Sequence, residues 1–188
     1  MSLPRATYDP RRVFVFRLPS IPGLAHKKRE IGIYSAGALF AIGWAVFFDA
    51  LILSKRARPP VDGSYDVVPV HMTFVDWIPG ILGTLGMLIT NLIDKSRLSG
   101  DGGAWGGEGS TAFRARLALF IGFALMAGGV SFSITLLIVK YILPDYPSEY
   151  HYYGISTVVQ NVGIMLSSVV LWLAQMAGDG EYEYNINL

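Results

Sequence analysis

Four blocks of apolar residues, separated by stretches rich in charge, proline or glycine, set the pattern along this chain. They cover 31–53, 74–93, 117–139 and 154–177, which is 23, 20, 23 and 24 residues. A hydrocarbon core of about 30 Å is crossed by about 20 helical residues, so every block has spanning length. The apolar positions run continuously instead of alternating, which argues against barrel strands. A helix satisfies its own backbone polar groups, as lipid requires. The pattern therefore predicts an all-α membrane protein, a bundle of four transmembrane helices within 31–177. An N-terminal arm, 1–30, and a short tail, 178–188, flank it.

Composition excludes the competing classes. Only 15% of the 188 residues are charged, and 52% are hydrophobic, against about 25% charged in soluble domains. A soluble domain of this length has no interior large enough to hide such blocks. Fifteen Lys and Arg against fourteen Asp and Glu leave a net charge of +1, without the basic surplus of a nucleic-acid-binding protein. Without cysteine there is no disulfide framework, thiol nucleophile, thiolate metal site or palmitoyl anchor. No cofactor, metal site or nucleic-acid partner is expected.

The basic residues are distributed unevenly. Seven lie in the arm, four in the second loop (Lys95, Arg97, Arg114, Arg116) and none in the tail, giving eleven. The first loop holds Lys55, Arg56 and Arg58 and the third only Lys140, giving four. The positive-inside rule predicts that both termini and the second loop are cytoplasmic. The arm has no early apolar core, so no cleavable signal peptide is expected, and 31–53 serves as signal and anchor together.

The linkers differ in kind. Residues 54–73 carry Pro59, Pro60 and Pro69 and read as an extended lumenal loop. Residues 100–110 hold six glycines in eleven and read as a flexible linker. They lack the Lys-Ser/Thr ending and the preceding strand of a phosphate loop. In the arm, Arg11, Arg12, Phe14, Phe16 and Arg17 suggest contact with the membrane surface, cations on anionic lipid and rings inserted. An arm packed on a partner is the equal alternative. The tail is acidic.

Polar side chains inside apolar blocks are the informative exceptions, here Asp49, Asn91, Gln160 and Asn161. At about 1.5 Å per residue, Asp49 lies about 6 Å and Gln160 and Asn161 about 9–10 Å from the lumenal end. An interhelical polar clamp of Asp49 with Gln160 or Asn161 is expected, orienting the first span against the fourth. A proton or ion site on the same residues, in a small transporter or permease, is the alternative. His71 and His151 precede the second and fourth spans, with Asp76 and Glu149 close in sequence. They read as solvated flanks, with a sensor of lumenal acidity as the lesser reading. Trp77, Tyr141, Tyr146, Tyr150, Tyr152 and Tyr153 read as an interfacial aromatic belt.

Small residues mark where helices approach closely. Gly37, Gly43, Gly83, Gly86, Gly122, Gly128, Gly163 and Ser167 are candidates for helix packing or partner faces. They outnumber what one four-helix bundle requires, so some are expected to face a membrane partner. The blocks hold no Ser/His pair, paired carboxylates or metal-ligand cluster, and no enzyme is expected.

The residues also resemble a family. SAGALFAIGWAVFFDA in the first block, VHMTFVDWIPGILGTLGMLITNLIDKSRL, the DGGAWG loop, ARLALFIGFALMAGGVS and QNVGIMLSSVVLWLAQ are similar to small eukaryotic four-span proteins. These are the fungal vacuolar protein sorting-associated protein 68 and animal transmembrane protein 50 group, with the stronger likeness on the fungal side. The resemblance covers nearly the whole chain from Ile31 and extends to the Phe-Arg-Leu-Pro of the arm. It implies a non-enzymatic role in late endosome to vacuole transport, in the late endosomal or vacuolar membrane. It also implies a partner, a second small four-span protein of the vacuolar sorting type. A subunit of some larger membrane complex is the further alternative.

Overall fold

A computed structural model describes residues 28–59, 66–93 and 108–185, with side chains described from Phe113 in the third helix and to Gln175 in the fourth. The proposed surface arm, Arg11, Arg12, Phe14, Phe16 and Arg17, lies outside the described residues, as do positions 100–107 of the linker.

Each apolar block is a helix, and the first, third and fourth overrun their blocks into polar sequence, whereas the second stays within its block. Helix α1 is Lys28–Arg56, α2 is Ile78–Leu92, α3 is Glu108–Leu136 and α4 is Ser148–Asn185. A 3₁₀ turn, Phe74–Trp77, leads into α2, and a π-helical segment, Leu137–Ile142, ends α3. Among the described residues there is no strand. Four segments are long and apolar enough to cross a membrane: Arg29–Arg56, Phe74–Leu92, Phe113–Ile142 and Ser148–Gln175. The shortest has 19 residues, about 28 Å of helix, which matches the hydrocarbon core.

The packing is antiparallel in pairs. Helix α1 lies along α4, and α2 along α3. Helix α4 also touches α2 and α3, and so joins the two pairs. The starts of α1 and α3 therefore share one end of the bundle with the ends of α2 and α4. The opposite end carries Arg56, Phe74, Ile142 and Ser148, together with Tyr141, Tyr146, Tyr150, Tyr152 and Tyr153.

Exposure is inverted relative to a water-soluble protein. Ile42, Phe48 and Ile52 on α1, Leu85 and Leu88 on α2, Phe120 and Ile134 on α3, and Val159, Leu166 and Val169 on α4 are exposed. Thr90, Ser133, Ser156, Thr157, Gln160, Asn161, Ser167 and Ser168 are buried. A helix bundle in lipid gains nothing by hiding leucine, whereas every polar group gains by turning inward.

Candidate functional site: a polar seam and a buried ion pair

Ser156, Thr157, Gln160 and Asn161 recur at three- and four-residue spacing, and Ser167 and Ser168 follow seven residues after Gln160 and Asn161, which places all six on one face of α4. That face is turned into the bundle. The Ser167 hydroxyl donates to the Ala36 carbonyl of α1 at 2.7 Å. Asn91 Nδ2 donates to Ser168 Oγ at 3.0 Å, tying α2 to α4. Thr90 returns its hydroxyl to the Gly86 carbonyl on its own helix at 2.8 Å.

At the middle of the seam stand Gln160 and Asn161, and glycines make the room for them. A methyl group at Gly80 would stand 2.6 Å from Gln160 Nε2. One at Gly129 would stand 2.9 Å from Asn161 Oδ1, and one at Gly83 would stand 3.0 Å from the same oxygen. Asn161 Nδ2 donates to the Thr157 carbonyl at 2.9 Å. Gln160 Nε2, Gln160 Oε1 and Asn161 Oδ1 are buried without a partner among the described residues.

The expected clamp does not form through Asp49. Asp49 is exposed, and its Oδ2 accepts from the Tyr152 hydroxyl at 2.9 Å. The first span does meet the fourth beside Gln160, but through backbone: a methyl group at Gly43 would stand 3.1 Å from the Gln160 carbonyl oxygen. Asp49 still joins the first span to the fourth through Tyr152, but on the exposed rim of the α1–α4 contact and not in the interior with Gln160 and Asn161.

The small residues divide into two sets. Gly43 and Gly163 face each other across the α1–α4 contact, and Gly86 and Gly122 across the α2–α3 contact. Gly83 and Ser167 also point inward. Gly37 and Gly128 have open space where a side chain would be. Around Gly37, the exposed Ala41 and Ala45 continue an outward small-xxx-small row on α1.

The feature that reasoning from sequence missed is Asp76. In the sequence it is only a neighbour of His71, yet it is 0% exposed. Its Oδ2 accepts from Lys140 Nζ at 2.5 Å and from the Thr73 backbone N–H at 2.6 Å. The Thr73 hydroxyl donates to the same oxygen at 3.2 Å and accepts from Lys140 at 3.1 Å. Tyr141 donates to Oδ1 at 3.0 Å. Asp76 also donates its own N–H to the Thr73 carbonyl at 3.1 Å, closing the first turn of Phe74–Trp77. The π-helical turn of α3 presents consecutive residues, Lys140 and Tyr141, to one carboxylate, a use in keeping with where such turns occur. A signal was available: Asp76 and Lys140 bear opposite charge at the same end of two neighbouring blocks.

Around this ion pair the tyrosines form a plug. Tyr141, Tyr150 and Tyr153 are buried with Ala50 and Val70, and only Tyr152 of these four is exposed. The belt reading is corrected for the buried three, because the returning loop packs over them. Ser54 anchors that loop, its hydroxyl accepting from the Met72 N–H at 2.8 Å, with His71 Nδ1 2.8 Å from the Ser54 carbonyl. Trp77 packs on α1, 5.0 Å from Phe47 and 6.2 Å from Trp44 between ring centroids. His71 is thus held by backbone, and Asp76 by Lys140. Among the described residues no three His, Asp or Glu side chains gather as metal ligands would.

The uncharacterised protein family UPF0220 matches residues 10–182. This chain belongs to that family. It is 42% identical to vacuolar protein sorting-associated protein 68 of Saccharomyces cerevisiae, over 93% of this chain and 94% of the relative. A UPF0220 protein of Schizosaccharomyces pombe is 41% identical over 94% and 96% of the two chains. A transmembrane protein 50 homolog of Dictyostelium discoideum is 28% identical over 79% and 91%. None of these names describes an enzyme. No solved structure matches.

Proposed function

We propose that this UPF0220 chain is a non-enzymatic membrane subunit of an endosomal sorting complex acting in late endosome to vacuole transport. The observation that carries the reading is the 42% identity, over nearly the full length of both chains, to a protein named for vacuolar sorting. The architecture is compatible with it: Ser167 to the Ala36 carbonyl, Asn91 to Ser168 and Lys140 to Asp76 are polar contacts that join helix to helix.

The partner is a second small four-span membrane protein of the vacuolar sorting type. It docks on the outward row of Gly37, Ala41 and Ala45, with Gly128 a second point of close approach. Small residues let helix backbones meet in lipid, where van der Waals contact replaces the hydrophobic effect as the driving force. Both termini face the cytoplasm, as the eleven-to-four division of Lys and Arg supports.

The test is replacement in living cells. Saccharomyces cerevisiae lacking vacuolar protein sorting-associated protein 68 receives this chain, and missorting of a soluble vacuolar enzyme to the medium is measured. Restored retention is the expected result. A chain that is expressed and correctly membrane-inserted, yet leaves the enzyme secreted, would overturn the reading.

A further inference from the structure

At the tyrosine-rich end, the last turn of α1 and the first turn of α4 enclose a cleft of about 250 Å³. Arg56 and Arg58 line one wall, Glu149, Tyr150 and Tyr152 the other, and Leu53 the side towards the bundle. The volume falls below the roughly 300–1,000 Å³ of drug-sized sites, a fit for a headgroup and not for a whole lipid. Both walls stand where the spanning segments Arg29–Arg56 and Ser148–Gln175 terminate, at headgroup depth.

The charges in this cleft are not spent on one another. Among the described residues, neither Arg56 nor Arg58 pairs with a carboxylate, whereas Asp76 is taken by Lys140. The Arg58 carbonyl, not its guanidinium, accepts from the Tyr150 hydroxyl at 3.3 Å, and this bond fixes the two walls together. Two guanidinium forks on one side match a phosphate. A carboxylate with tyrosine rings on the other matches an ammonium group. Below them the exposed Leu53, Ile52 and Ile155 offer an apolar surface for acyl chains. A pair of arginines that merely complemented the C-terminal dipole of α1 would not call for a concave wall with a carboxylate opposite.

We propose that this cleft binds the headgroup of a zwitterionic phospholipid, phosphate on Arg56 and Arg58, ammonium on Glu149 and the tyrosines. The proposal is independent of the sorting role. The full-length protein, purified in mild detergent, is exposed to an equimolar mixture of phosphatidylcholine, phosphatidylglycerol and diacylglycerol, and bound lipid is read by native mass spectrometry. Wild type is expected to retain phosphatidylcholine over the other two. Each guanidinium offers charge-assisted hydrogen bonds to the phosphate, so Arg56→Ala with Arg58→Ala should lower retention at least about tenfold. The Arg58 carbonyl survives this change, so the fold is kept, as helical circular dichroism will check. Glu149→Gln should erase the preference for phosphatidylcholine over phosphatidylglycerol while leaving total retention high. Unchanged retention in the folded double-arginine variant, or a preference that ignores Glu149→Gln, overturns the proposal. So does complete displacement by millimolar glycerophosphocholine, which would make the ligand a soluble phosphodiester.

Discussion

Asp76 is fully buried and holds four hydrogen bonds, one of them from a cation on another helix. Removing one member of a buried pair costs about 3–5 kcal/mol, because the other charge is stranded. Lys140 keeps 22% side-chain exposure and can turn towards the headgroups, so Asp76→Asn should cost about 3 kcal/mol, the low end of that range. Thermal unfolding in detergent measures it. Adding Lys140→Met should recover most of the loss, since no unpaired charge then remains. If the double variant is no better than the single, the pair is not what Asp76 contributes. Asp49 is the contrasting case, for it bonds to one exposed tyrosine and stands apart from the seam. Position along a block says how deep a side chain lies. Which side of the helix it leaves from decides whether it meets its neighbours in the interior, as Asp76 does, or on the exposed rim, as Asp49 does.

At the scale of elements, glycine exposure separates fold from interface. A methyl group at Gly86 would stand 2.6 Å from the Gly122 carbonyl and 2.9 Å from the Met126 nitrogen, both backbone. Such overpacking costs about 1–3 kcal/mol, so Gly86→Ala should lower the unfolding temperature clearly. Gly128→Ala meets nothing within 4 Å and should leave stability unchanged or slightly raised, because alanine favours helix by about 1 kcal/mol over glycine. Equal effects at the two positions would contradict this packing. The four helices were legible in the sequence because segments of 19 or more predominantly apolar residues admit no other structure in lipid. Which glycine faces inward was not legible. Apolar residues surround α1 and α3 almost evenly, and the inward side is fixed by the partner helix. Likewise the π-helical end of α3 has no marker in the run Leu137–Ile142, because its geometry follows from reaching Asp76 on another helix.

For the whole molecule, two pairs of antiparallel helices are joined through α4, apolar outside and polar within. The tyrosine-rich end is sealed by side chains from three of the four helices and the returning loop. The absence of cysteine makes orientation directly testable by single-cysteine labelling with a membrane-impermeant maleimide on sealed, cytoplasmic-side-out membrane vesicles. Ser99→Cys, in the second loop, should label from the cytoplasmic side. Ser64→Cys, in the first loop, should label only after the vesicles are opened. The reverse pattern would invert the topology that the basic residues support.

A partner seated on the outward small face of α1 should survive gentle extraction with it. The protein is purified from membranes in mild detergent on a tag at Leu188, and stoichiometric companions are read by mass spectrometry. A second small four-span protein is expected with the wild type. That companion should be lost with Gly37→Leu and Ala41→Leu while the helical content stays intact, since leucine is a good helix former. A chain that purifies alone, or a companion that the two substitutions leave in place, would contradict it.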